Sequence, residues 1–138
     1  MRMRVLTRTS KGKLLTIADE VTKLISADKA TDKIPTAYPC DGERLVVVVA
    51  SAKSSYPDDF ARFMRSLKRS VTANVAFIID GTPENAAKIV EMAKTNDSNV
   101  LEDKILYIPG GLSFIKKVSA DEMAKVKAWV EDILANLK

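Results

Sequence analysis

Thr7, Thr9 and Ser10 place three hydroxyls within four positions of the chain, and Lys11, Gly12 and Lys13 follow directly. Those residue types suit an anion: hydroxyls and ammonium groups donate hydrogen bonds, and glycine lets the backbone approach a ligand closely. Before the turn stands a predicted short strand, Met3-Arg4-Val5-Leu6-Thr7. After it, Leu14, Ile17, Ala18, Val21, Leu24 and Ile25 recur at helical spacing. A strand, a turn and a helix in that order aim the unpaired N–H groups of the helix N-terminus at the turn, where the helix dipole favours negative charge. The expected occupant is a phosphate-bearing ligand. The plainer alternative makes Thr9 or Ser10 a helix cap and the lysines a solvated surface.

Other chemistries find less support. The chain has no histidine, so no mechanism uses imidazole as base or metal ligand. Its single cysteine, Cys40, excludes an internal disulfide, fits a reducing compartment and sits in an irregular polar segment that does not activate a thiol. Asp80 follows an apolar run, but no second acid stands at the end of the first or central strand, so neither a catalytic acid pair nor a phosphoacceptor cluster is predicted. No metal site and no catalytic residue is expected.

The elements that must position the turn alternate between two periods. The first helix is predicted over residues 12–26, and a possible edge strand over 34–38. Leu45-Val46-Val47-Val48-Val49-Ala50 is an unbroken apolar run, the pattern of a central parallel strand covered on both faces. Pro57 suits the first turn of a helix over 58–70, where Phe60, Phe63, Met64 and Leu67 form a stripe. Asn74-Val75-Ala76-Phe77-Ile78-Ile79-Asp80 gives another buried strand, after which Thr82 caps and Pro83 opens a helix to about residue 95. The last strand is predicted over 104–108, and two glycines, Gly110 and Gly111, end it. Ser119 and Glu122 stand in capping-box spacing before a helix burying Met123, Val126, Trp129, Val130, Ile133 and Leu137.

The 138 residues fit a single domain over 1–138, and 46% hydrophobic with 29% charged residues is ordinary for a soluble fold. No apolar run is long enough to span a bilayer, and no apolar signal segment opens the chain, which predicts a cytoplasmic protein that does not meet membranes. The net charge of +4 is unevenly spread: residues 1–70 hold 14 Lys and Arg against 8 Asp and Glu, residues 71–138 hold 8 against 10. The basic half contains the turn. Basic and aromatic residues do not interleave along one segment, so nucleic acid is not the expected partner.

With strands alternating with helices and a hydroxyl-rich first loop, the chain resembles the flavodoxin family over nearly its whole length. The family's loop runs Thr or Ser, two residues, Gly, one residue and Thr, with Ala and an aliphatic residue at later helical offsets. Thr9, Gly12, Ala18 and Val21 match, while Lys11 and Leu14 stand where threonines are common. The resemblance implies an α/β three-layer sandwich with a five-stranded parallel sheet in the order 2-1-3-4-5. It also implies FMN, with the phosphate contacts falling to Thr7, Thr9, Ser10, Lys11, Gly12, Lys13 and the backbone amides, since Leu14 has no hydroxyl. Ser51, Ser54 and Tyr56 of one loop, and Gly81 and Thr82 of the next, would cover the flavin ring, with Tyr56 stacking on it. Tyr56 packed against Pro57 is the plainer alternative. Pro109-Gly110-Gly111-Leu112-Ser113-Phe114 resembles the segment after the last strand in flavodoxin-like domains of the protoporphyrinogen-oxidase kind; Leu112 and Phe114 packing on the core is the alternative.

By that resemblance the protein is a flavoprotein of electron transfer, an oxidoreductase component. Its basic loop half is expected to make flavin reduction easier than in acidic flavodoxins and to steer it to an acidic redox protein. The competing expectation is a noncatalytic module of the same fold, holding another phosphorylated small molecule or a protein partner.

Overall fold

The computed structural model describes residues 3–7, 12–25, 32–33, 43–51, 72–94, 99–108 and 118–137. Its elements are β1 (Met3–Thr7), α1 (Lys13–Leu24), β2 (Asp32–Lys33), β3 (Glu43–Ser51), β4 (Thr72–Asp80), α2 (Pro83–Lys94), β5 (Asn99–Val100), a 3₁₀ turn (Glu102–Lys104), β6 (Leu106–Tyr107) and α3 (Ala120–Ala135). Every strand pairing is parallel. The sheet runs β2-β1-β3-β4-β5, and β6 also pairs with β4.

The apolar runs become strands because their β-branched residues suit a pleated surface that is buried on both sides. Side-chain alternation then sorts them into two layers. Leu6, Val46, Val48, Ala50, Val75, Phe77 and Ile79 pack with Ala86, Ile89, Val90 and Ala93 of α2. On the opposite face, Val5, Leu45, Val47, Val49, Ala76 and Ile78 pack with Leu14, Ile17, Ala18 and Val21 of α1 and Val126, Trp129, Val130 and Ile133 of α3. Fully burying each of these larger side chains contributes roughly 1.5–3 kcal/mol. The protein is therefore α/β, with helices on both faces of a parallel sheet.

The helix ends follow local chemistry. Thr82 Oγ1 accepts from the Asn85 N–H at 3.2 Å, and Pro83 opens α2, as expected from the sequence. In α3 the Glu122 N–H donates to Ser119 Oγ at 3.1 Å while Ser119 N–H donates to Glu122 Oε1 at 3.2 Å, completing the predicted capping box. Met123 and Leu137, expected in the core, are only partly buried.

The sheet's far edge differs from expectation. Instead of one strand over 104–108, two short segments pair with β4, and the 3₁₀ turn lies between them. From Val100 to Leu106 the edge advances six positions, while β4 advances three from Val75 to Ile78. The surplus residues are wound into the turn, which the Trp129 indole N–H holds by donating to the Lys104 carbonyl and Lys104 holds by an ion pair of 2.9 Å with Asp132. Among the described residues, the single edge strand expected there is divided into β5 and β6, both paired with β4. On the opposite edge, β2 pairs with Leu6 and Thr7 through Asp32 and Lys33. The strand expected over 34–38 and the helix over 58–70 lie outside the described residues, as do Cys40 and the segment 109–114.

Candidate functional site

β1, β3 and β4 end together. Thr7 is in register with Val49, and Ser51 with Asp80, so the carboxyl ends of three neighbouring strands form one rim. Strand alternation puts Thr7, Ser51 and Asp80 on the side of the sheet that carries α1 and α3. Thr7 is 1% exposed and Asp80 5%, and all three residues are engaged in polar or electrostatic interactions of their own. The register sets Asp80 beside Ser51.

The helix N-termini come to the same rim, because a helix that returns the chain between parallel strands runs antiparallel to them. α1 begins at Gly12 and Lys13, five residues past Thr7. Gly12 has φ 89° and ψ −171°, a backbone region essentially closed to any residue with a Cβ. Its carbonyl accepts from both the Thr16 N–H and the Thr16 hydroxyl, each at 3.3 Å. As N-cap it offers the first turn no side-chain bond, and that turn contains no acidic residue. α2 and α3, by contrast, carry hydroxyl caps and first-turn acids, Glu84 in one and Asp121 and Glu122 in the other. Among the described helices, the amino end of α1 is the one whose dipole its own first turn does not offset.

Lys13 has a definite partner. Its Nζ donates to Glu122 Oε2, which joins the first turn of α1 to the capping box of α3. The side chains are 12% and 21% exposed, so water screens the pair only in part. The Lys13 hydrogen bond is the chief cause holding the Glu122 carboxyl below its ordinary range, assisted by the Ser119 N–H and hydroxyl against the opposing effect of burial. Lys13 thus lies at the rim as expected, but its ammonium is turned to a carboxylate of the chain itself. Leu14 is buried in the α1 core face, so the position that carries a threonine in the family loop points inward here.

Of the other expected site residues, Gly81 and Thr82 lie just past β4 at the rim, with Thr82 exposed and serving as the α2 cap. Thr9, Ser10, Lys11, Ser54 and Tyr56 lie outside the described residues. Thr7, Gly12, Lys13, Ser51, Gly81 and Thr82 thus stand at one edge of the sheet, as do Asp80 beside Ser51 and Glu122 on Lys13. Glu122 was legible in the sequence only as half of a capping box; its reach across to Lys13 is a tertiary contact that no local signal carries.

A groove of about 220 Å³ lies on the α2 side of the sheet, lined by Pro83, Ala87, Val90, Ile105 and Tyr107 with Glu91, Glu102 and Asp103 at its margin. It is on the opposite face from α1. Lys94 pairs with Glu102 at 3.1 Å there, and the bond to Glu102 chiefly raises the Lys94 pKa. Among the described residues, no group of three or more Asp, Glu, Cys or His side chains converges to hold a metal ion, and no helix is long and apolar enough to cross a membrane.

No protein-family model matches the chain, and a search of curated proteins gives no match.

Proposed function

We propose that this is a flavodoxin-like protein that binds FMN noncovalently at the rim and transfers electrons. The single observation that carries the reading is Gly12: its Cβ-free backbone conformation opens α1 at the carboxyl ends of β1 and β3, the position at which a phosphate can sit against helix amides. A Cβ at this position would be strained by that backbone conformation. In this reading β5 and β6 count as one interrupted edge strand, so the sheet takes the flavodoxin-like order 2-1-3-4-5. Thr7, Thr9, Ser10, Lys11 and Gly12 hold the phosphate end, Lys13 joins them only by exchanging Glu122 for the phosphate, and Ser51, Ser54, Tyr56, Gly81 and Thr82 cover the ring.

When bound, the flavin supplies the redox chemistry; the protein orients it, limits water and tunes it by charge. The excess of basic residues in the half that holds the turn favours an anionic reduced cofactor and an acidic redox protein as partner. A cytoplasmic setting suits this role.

Two observations favour a second reading, a noncatalytic module holding another phosphorylated small molecule or a protein partner. Lys13 is engaged by Glu122, and Leu14 is a core residue, so the turn offers fewer donors than a flavodoxin loop. Absorption separates the two. Purified protein that shows flavin bands, or that quenches FMN fluorescence on titration, supports the redox reading, whereas a colourless protein indifferent to micromolar FMN leaves the binding module.

A further inference from the structure

We propose that the groove between α2 and the divided edge of the sheet seats an arginine side chain of a partner protein. It lies on the face of the sheet away from α1 and does not depend on the flavin reading. Strand alternation sends Leu106 and Ile108 to the α1 layer, which leaves Ile105 and Tyr107 towards α2. Ala87, Val90 and Glu91 share one strip of α2, and Ala87 has only a methyl group to fill the space between that strip and the edge. The result is an open trough of about 220 Å³.

The trough is apolar along Val90, Ile105 and Tyr107 and acidic at its margin, where Glu91 is joined by Glu102 and Asp103 of the 3₁₀ turn. Among the described residues that line it there is no cation. Lys94, one turn beyond Glu91, is held by Glu102 at 3.1 Å; that bond chiefly raises its pKa, and the charges of Glu91 and Asp103 add to the effect. One ammonium thus answers three carboxylates. Lys104 is turned to Asp132 at 2.9 Å, and Lys88 has Glu84 one turn before it, so neither cancels the excess. An apolar floor with an anionic margin fits a side chain that is hydrocarbon along its stem and cationic at its tip. The volume falls below the roughly 300 Å³ at which small-molecule pockets begin, which favours a side chain delivered by a larger partner over a free ligand. Arginine fits better than lysine, because its planar guanidinium stacks on an aromatic such as Tyr107, 38% exposed here, while reaching two carboxylates.

The test uses the full chain at low salt, with a blocked Gly-Arg-Gly peptide as probe and its citrulline counterpart, of the same shape without the charge, as comparator. Amide NMR shifts should place the arginine peptide at Ala87, Glu91, Ile105 and Tyr107 with a Kd on the order of 1 mM. Citrulline should bind about fivefold more weakly, and a Gly-Lys-Gly peptide about two- to threefold more weakly. Glu91→Gln should weaken the arginine peptide about two- to threefold and leave citrulline unchanged. Tyr107→Ala should weaken it about two- to fivefold, whereas Tyr107→Phe, which keeps the ring, should not. Lys94→Met removes the competing ammonium and should tighten it about twofold. All three positions are exposed, so far-UV spectra of the variants should match the wild type. Citrulline or lysine bound as tightly as arginine overturns the inference. So do shifts of equal size at Glu131 and Asp132 on α3, or no saturable shift below about 10 mM peptide. FMN quenching by the same protein is independent of each of these outcomes.

Discussion

Gly12 and Glu122 carry most of the consequence at the scale of single residues. Gly12→Val forces a β-branched residue into a backbone region reserved for glycine, which should cost about 1–3 kcal/mol in urea unfolding. Far-UV helicity should change little, because α1 is held chiefly by Ile17, Ala18 and Val21 in the core. Glu122 gives a pH dependence of definite sign. Its folded pKa lies below the ordinary 4.5, so its contribution to stability is fully present above that value and is lost as pH falls through the folded pKa. Urea unfolding from neutral pH into the acid range should show wild type more stable than Lys13→Met at neutral pH, with the gap closing below about pH 4.5. A gap that stays constant to the lowest pH would mean the ion pair contributes nothing. At this scale the hydroxyl, glycine and lysine turn was readable in the sequence. The use of Lys13 was not, because its partner is 109 positions away and two elements must dock before they meet.

Legibility at the scale of elements depended on how much of the signal was local. β3 and β4 were plain because runs of valine, isoleucine and phenylalanine mark strands buried on both faces, and α3 was plain because Ser119 and Glu122 announce its start. Ser119→Ala removes one half of that box and should lower stability by about 1 kcal/mol, with thermal unfolding the direct check. The sheet's far edge misled because β5 has no run and only two residues of the run Ile105–Ile108 pair, as β6; the position of both is set by partners in other elements. Asn74 is one such partner. It is fully buried in β4, donates through Nδ2 to the Arg44 carbonyl at 2.9 Å and accepts at Oδ1 from Asn99 Nδ2 at 2.9 Å, so it ties β3, β4 and β5 together. Asn74→Ala strands the Asn99 amide and should destabilise the fold by about 1–3 kcal/mol, with amide exchange accelerating first at β5. Unchanged exchange at Asn99 and Val100 would show that the edge is held by backbone pairing alone.

Two apolar layers share one sheet, and β1, β3 and β4 contribute alternate side chains to both. Function concentrates at the carboxyl ends of the strands in α/β folds, which is the edge where Thr7, Ser51 and Asp80 stand. The α/β class could be read from alternating periods because the two-sided burial of β3 and β4 is written in consecutive residues. Arg4 shows the limit of such reading: it sits 1% exposed within β1, opposite Val46, though an arginine in a strand ordinarily reads as an outward-facing residue. Charge asymmetry between the two halves is likewise visible from composition, but which basic groups face the rim depends on tertiary pairing, as Lys13 demonstrates. The most direct measurement of the central claim is a flavin-fluorescence titration of the full chain with FMN, run beside Gly12→Val. FMN binding at the turn predicts saturable quenching by the wild type and none by the variant at unchanged far-UV helicity; equal quenching by both proteins, or by neither, would contradict it.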